Sequence, residues 1–166
     1  MIVNLMKQRA EILAIAEHWF DVITNLPGRT DLKERTGIQV LIREPGTRNL
    51  IFGSVREPSE TAMFFAAEKA VRSYLFGHST SQKSESIERM EFADSVGIMF
   101  GDGTELQASV SGLKAEEDTA VAVILLANIL SQAPIAICKN IIGNGGKLPE
   151  CFFDKNHYLY PVINGQ

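Results

Sequence analysis

The sequence predicts an α+β domain in which helices flank an antiparallel sheet of four to five strands. Three segments repeat apolar residues every three or four positions, as amphipathic helices do. Four shorter segments are apolar and β-branched, and a Gly-containing turn separates the members of each pair. Strands joined by tight turns are antiparallel, so the order αββαβββα, with two or three strands in the second group, indicates α+β and not a doubly wound α/β fold.

The chain begins with a helix and a hairpin. A helix is predicted over residues 4–25, ending before Pro27. Strands are predicted over residues 37–43 and 50–55, with a Pro-Gly turn between them. The apolar face of the helix comprises Ile12, Ile15, Ala16, Trp19, Phe20, Ile23 and Leu26.

A second helix follows the hairpin. Its start lies at residues 58–61, where Ser59 or Thr61 can accept a backbone N–H, and Gly77 is the expected end. We expect its inward face to comprise Met63, Phe64, Ala67, Val71, Tyr74 and Leu75.

The next segment combines a polar loop with a second hairpin. Residues 78–88 are polar and Ser-rich, which predicts an exposed loop. Strands are predicted over residues 96–100 and 105–111 because the Asp-Gly turn between two apolar runs is a strong hairpin signal. Residues 89–92 can add a further short strand.

A third helix and an apolar extension complete the chain. The helix is predicted over residues 115–131, with Val121, Ile124, Leu125, Asn128 and Ile129 inward. Apolar residues surround most of it, so it should be buried on more than one side. We therefore divide the chain into a domain at 1–131 and an extension at 132–166, which packs on the core or on a neighbouring subunit.

Composition narrows the class of protein. The 166 residues suit one domain, 45% are hydrophobic and 22% are charged. The net charge of −4 and the scattered basic residues argue against a nucleic-acid partner. The N-terminus lacks a signal-peptide pattern, and no apolar run approaches the roughly 20 residues of a membrane span, so we expect a cytoplasmic protein without a membrane partner. Cys138 and Cys151 are expected to be reduced thiols, although one disulfide between them stays open.

Three segments carry a resemblance to a known family. They are residues 68–73 with Gly77-His78-Ser79-Thr80, residues 96–98, and residues 110–113 with Glu116-Glu117-Asp118. In this order they resemble the GlcG/HbpS family, the haem-degrading-domain family, which is similar to the C-terminal module of the adenosyltransferase PduO. The resemblance covers residues 10–131. Residues 81–91 and the extension depart from the family pattern.

The resemblance implies a fold, an assembly and a ligand. The fold would be profilin-like, the protein a homo-oligomer, and the ligand haem or a corrinoid. The leading hypothesis is a small-ligand-binding module of this type with unknown activity. Two alternatives stay open, namely an enzyme acting on a haem-like or small anionic metabolite and a protein-assembly module without a small ligand.

Five residues are candidates for ligand binding. Lys69 and Arg72 lie three positions apart on the second helix and could clamp an anion, or else form a solvated face or a Glu68–Arg72 pair. The turn at Ser111 and Gly112 precedes a helix whose N-terminus favours an anion. The alternative, which is the interpretation we favour, is that the acidic residues in the first turn of this helix already offset its dipole.

The fifth candidate is His78, a possible haem ligand or pH-sensitive contact, or else an exposed histidine without a role. The three histidines show no metal-ligand spacing with one another or with the cysteines, so no metal site is expected. The chain also lacks Gly-x-Ser-x-Gly, and its catalytic residues, if any, stay unknown.

Overall fold

The helices and strands form close to the bounds that the sequence predicts. The computed structural model describes residues 3–76 and 96–165, without the side chains of residues 71–76. The fold is α+β, with a four-stranded antiparallel sheet flanked by helices, and it is compatible with a profilin-like fold. Its elements are α1 (Leu5–Thr24), β1 (Gly37–Arg43), β2 (Leu50–Arg56), α2 (Glu60–Phe76), β3 (Val96–Met99), β4 (Glu105–Ser111), α3 (Ala115–Ile129), α4 (Pro134–Gly143), a 3₁₀ turn (Glu150–Phe152) and α5 (Tyr160–Asn164). The fifth strand at 89–92, the loop at 78–88 and the helix stop at Gly77 lie outside the described residues.

The two hairpins lie side by side in one sheet, and they meet where β1 of the first hairpin pairs with β4 of the second. The strand order is β2-β1-β4-β3, and every neighbouring pair is antiparallel. Val40 of β1 lies opposite Gly53 of β2 on one side and Val110 of β4 on the other. The two central strands are therefore the first of one hairpin and the last of the other.

Alternation along the central strands gives the sheet two unlike faces. One face is apolar and fully buried; we call it the apolar face, and its central residues are Ile38, Val40, Ile42, Leu106, Ala108 and Val110. The opposite face, the polar face, carries Gln39, Leu41, Arg43, Gln107, Ser109 and Ser111.

Helices α1 and α3 cover the apolar face. Residues 117–127 of α3 are buried without a break, which agrees with the prediction of a helix covered on several sides. The prediction for Asn128 is wrong, because it is exposed and its amide donates to the carbonyl of Ile124.

Helix α2 covers the polar face, and the prediction that Met63 and Phe64 face inward is wrong. Ala62, Ala66 and Ala70 are buried, whereas Met63 and Phe64 are 41% and 63% exposed. The side chains of Val71, Tyr74 and Leu75, the other large members of the predicted stripe, lie outside the described residues. The Arg43 guanidinium donates to the carbonyl of Ala70 across this interface. Periodicity alone does not show which face of a helix turns inward. Ser59 caps the helix by accepting the N–H of Ala62.

The C-terminal extension packs on the same hydrophobic cluster as the sheet and α3. The buried residues that the extension contributes to this cluster are Ile137, Cys138, Ile141, Phe152, Leu159 and Ile163. The division of the chain at residue 131 stays a prediction. Within the described residues no single helix is long and apolar enough to cross a membrane, and α3 with α4 passes the same test of length and composition only as a pair bent by 104°.

Candidate functional site

A cavity of about 370 Å³ lies on the α2 side of the sheet, where β1 begins and β4 ends. Three segments form its walls: the connection before β1, the start of α2 and the turn between β4 and α3. The lining residues are Lys33, Glu34, Arg35, Thr36, Gly37, Ser59, Thr61, Ala62, Phe65, Ser111, Gly112 and Leu113. Two of the predicted site residues, Ser111 and Gly112, are among them.

Gly112 fixes the wall of the cavity because no larger residue fits there. Its φ of 139° lies in a region that side chains rarely adopt. A Cβ atom at this position would overlap the carbonyl oxygen of Gly37 and lie 3.0 Å from the Cα of Ile38. The turn can therefore lie directly against the start of β1.

Arg35 places a guanidinium in the wall of the cavity. Its Nε donates to Asp31 at 2.8 Å, and its Nη1 donates to the carbonyl of Gly112 at 3.2 Å. No described residue accepts a hydrogen bond from Nη2. The guanidinium is thus held in place by two fixed partners and keeps one edge for a further acceptor.

A chain of ion pairs links Arg35 to the extension. Asp31 also binds Arg29, which donates to both carboxylate oxygens of Glu117 at 2.7 and 3.0 Å. The hydroxyl of Tyr158 donates to the same carboxylate at 2.9 Å. Burial raises the pKa of Asp31, but hydrogen bonds from Arg35 and the Lys33 N–H and the two arginine charges hold it below its usual value.

The acidic first turn of α3 serves its own helix, as the favoured interpretation expects. The backbone N–H of Leu113 donates to Asp118 Oδ1 at 2.9 Å, and the N–H of Lys114 donates to Glu117 Oε2 at 3.2 Å. These two donors are occupied by side chains, so they are not available to a ligand in the cavity.

Lys69 lies buried behind the turn and does not line the cavity. Its Nζ donates to the carbonyl of Val110 at 2.7 Å and lies 3.5 Å from Asp118 Oδ2. The expectation of a solvated face is wrong for Lys69, whose side chain is 4% exposed. Burial raises the pKa of Asp118, and Lys69 and the Leu113 N–H oppose this rise. Lys69 therefore holds the turn from beneath, and its role as a ligand contact stays a prediction.

The side chain of Arg72, and all of His78, lie outside the described residues. Sequence reasoning missed Arg35, Ser59 and Thr61 as members of the cavity wall. The sequence predicts Ser59 only as a helix cap, and Arg35 falls between the first predicted helix and the first predicted strand. The signal that could have identified Arg35 is its position two residues before a strand that begins with Gly37.

The described residues contain no group of three His, Cys, Asp or Glu side chains placed to hold a metal ion. Cys138 and Cys151 are free thiols, and burial raises their pKa values to about 12 and about 11. The disulfide between them is therefore absent. The cavity wall contains no His, Cys, Met or Tyr, the usual axial ligands of haem iron, so these residues do not fit a ligated haem.

Comparisons with protein-family models, with curated proteins and with solved structures found no match to this chain.

Proposed function

We propose that this protein is a small-ligand-binding module of the GlcG/HbpS type that acts in the cytoplasm and holds its ligand in the cavity at the β4–α3 turn. The observation that carries the proposal is the cavity itself, which lies at the predicted residues Ser111 and Gly112. Its volume of about 370 Å³ lies within the range of small-molecule sites, about 300–1,000 Å³.

The fixed walls support binding more than catalysis. Gly112 lies against Gly37, and Arg35 is held by Asp31 and by a backbone carbonyl, so the site is largely formed before a ligand enters. Preorganised groups of this kind lower the entropy lost on binding. Haem or a corrinoid is the ligand that the family resemblance implies, and the described residues of this wall offer no axial ligand to its metal.

The test of the proposal is to fill the cavity. Thr61 lines the cavity and is exposed, so Thr61→Trp should place an indole in the opening without disturbing the core. We expect a fragment library, screened by ligand-observed NMR with haem titrated separately by its Soret band, to give binders that Thr61→Trp removes. The matched control is Glu11→Trp at an exposed position on α1. The absence of binders, or binders that bind Thr61→Trp equally well, would contradict the proposal.

We also propose that the protein self-associates. Met63 and Phe64 of α2 and Leu50 and Phe52 of β2 are exposed, and the β2 pair points to the same side of the sheet as α2. Exposed apolar groups on one side of a molecule are typical of a protein interface. Light scattering should give an oligomer that Phe64→Ser weakens and that Leu32→Ser, at a 99% exposed site in another segment, leaves unchanged. A monomeric wild-type protein would contradict self-association.

A further inference from the structure

The geometry points to a short monocarboxylate as the ligand of the cavity, with its carboxylate between Arg35, Ser111 and the start of α2. This inference rests on the proposed function and adds the chemical class of the ligand. Three features of the cavity wall carry it: a fixed guanidinium, a serine hydroxyl without a protein partner among the described residues, and an apolar patch.

The guanidinium of Arg35 offers the cationic contact. Its Nε and Nη1 are occupied by Asp31 and by the carbonyls of Gly112 and Leu113, at 2.8, 3.2 and 3.4 Å. The Nη2 edge is left for a ligand oxygen, and a charge-assisted hydrogen bond from an arginine is about twice as strong as a neutral one.

Ser111 offers a second donor from the β4–α3 turn. The residue is 7% exposed, and no described residue forms a hydrogen bond with its hydroxyl. The side chain lies on the polar face, opposite Gln39 in the register of β1 and β4, and the cavity lies on this side of the sheet. The hydroxyl oxygen is not sealed from solvent, so a ligand oxygen there would replace water as its hydrogen-bond partner.

The N-terminus of α2 adds positive potential at the same place. Thr61 and Ala62 of this 17-residue helix line the cavity, together with Ser59, which precedes the helix. Ser59 uses its oxygen to accept the N–H of Ala62, and the earlier N–H groups of the first turn have no partner within the helix. The helix dipole favours a carboxylate at this end, and the exposed Glu60 of the first turn offsets part of that effect.

The charges around the cavity favour an ion with one negative charge. Arg35 is paired with Asp31, Arg29 with Glu117, and Lys33 and Glu34 are both exposed at the rim. One added carboxylate charge can be met by the fixed guanidinium of Arg35. A second negative charge would have only the exposed Lys33 to face it, and an ion pair at an exposed lysine contributes little.

The remaining wall is apolar and limits the body of the ligand. Phe65, Ala62 and Leu113 face the cavity, and none of them offers a side-chain hydrogen bond. A short hydrocarbon chain attached to the carboxylate would remove apolar surface from water at this wall.

Calorimetric titration with propanoate, in chloride buffer at constant ionic strength, tests the inference. We expect saturable binding of propanoate, and binding at least about tenfold weaker for propanamide and for sulfate. Propanamide loses the charge-assisted hydrogen bond, and sulfate brings a second charge that is not matched. Arg35→Gln and Ser111→Ala should both weaken propanoate binding, and Ser111→Ala serves where Arg35→Gln lowers stability. Arg48→Gln, at an exposed position in the β1–β2 turn, is the matched control and should bind as the wild-type protein does.

The outcomes separate this inference from the proposed function. Binding of propanamide or sulfate as tight as that of propanoate, or propanoate binding unchanged in both Arg35→Gln and Ser111→Ala, would overturn the monocarboxylate class. If neutral or cationic fragments bind and Thr61→Trp removes them while propanoate does not bind, the class is wrong and the cavity still binds ligands. If no compound binds the wild-type protein at all, both proposals fail.

Discussion

The two faces of the sheet are built from the same strands but with opposite chemistry. The apolar face is covered by α1 and α3, and its central residues from Ile38 to Val110 are almost fully buried. The polar face is covered by α2, and it meets that helix through Arg43, Lys69 and buried serines. The cavity lies at the end of the polar face.

This difference separates the stabilising layer from the layer that can bind a ligand. On the apolar face, stability comes from close packing, which leaves no polar group for a ligand. On the polar face, every buried charge needs a partner. Lys69 and Arg35 donate to the carbonyls of Val110 and Gly112, and Asp118 accepts the N–H of Leu113. These partners all lie in the β4–α3 turn or directly next to it. Of the three groups that hold the turn in place, Arg35 also lies in the cavity wall.

The largest effect should come from breaking the buried pair on the polar face. Lys69→Met leaves Asp118 buried without its cation, which typically costs about 3–5 kcal/mol of unfolding free energy. Urea denaturation followed by circular dichroism measures this loss. The control is Lys139→Met, at an exposed site on α4, where we expect a change within about 0.5 kcal/mol. An equal loss in both variants, or none in either, would contradict the role given to Lys69.

A cavity on the apolar face should give a loss of similar or smaller size. Leu125 of α3 is fully buried, so Leu125→Ala should cost about 2–5 kcal/mol through lost burial and the empty space left behind. The exposed Leu32→Ala should be close to neutral in the same denaturation experiment. A small effect at Leu125 would argue against the packing described for this face.

Gly112→Ala should cost about as much as the core changes and more than a glycine substitution elsewhere. Strain at an unfavourable φ is of order 1–3 kcal/mol, and overlap with Gly37 adds to it. Gly101→Ala is the matched control, since its φ is ordinary and nothing lies within 4 Å of an added Cβ. We expect that control to be neutral or slightly stabilising in thermal denaturation. Equal melting temperatures for the two variants would contradict the close approach at the turn.

Acid should weaken the ion pairs beside the cavity. The pKa of Asp31 is lowered in the folded protein from an ordinary value of 3.8, so its stabilising contribution is present above that value and is lost as the pH falls through the folded-state pKa. Asp31→Asn should therefore be less stable than the wild-type protein at pH 7, and the difference should shrink below about pH 4. Denaturation of both proteins across this range measures it, and a difference that grows on acidification would contradict the assignment.

The smallest effect should come from Ser109, a buried serine on the polar face. No described residue hydrogen-bonds to its hydroxyl, so Ser109→Ala should be neutral or stabilising, within about 1 kcal/mol. The control is Ser54→Ala, because the Ser54 hydroxyl donates to Gln39 Oε1 at 2.6 Å and its loss should be destabilising by about 1 kcal/mol. A clear loss of stability in Ser109→Ala would show that its hydroxyl has a partner in solution.

Sequence reasoning reached the elements of this fold more surely than the orientation of its helices. The strands β1 and β4 were predicted with the observed bounds because turn residues and alternation mark both ends. Met63 and Phe64 of α2 were predicted to face inward, which is wrong, because large apolar residues suggest a core stripe. The buried residues of α2 are instead Ala62, Ala66, Lys69 and Ala70. Ser111 and Gly112 were identified from their strand-to-helix turn. Arg35 was missed because its partners, Asp31 and the Gly112 carbonyl, come together only in three dimensions.

The most direct test of the cavity as the ligand site is to map where propanoate binds. We expect a ¹H–¹⁵N correlation spectrum, recorded during titration with sodium propanoate against sodium chloride, to show saturable shifts for the amides of Ser111, Gly112 and Thr61 and for the Arg35 Nε–H. Amides on the apolar face far from the cavity, such as those of Ile42 and Leu125, should not move beyond the chloride control. Saturable shifts confined to residues outside the cavity wall, or no saturable shift at all, would contradict the account.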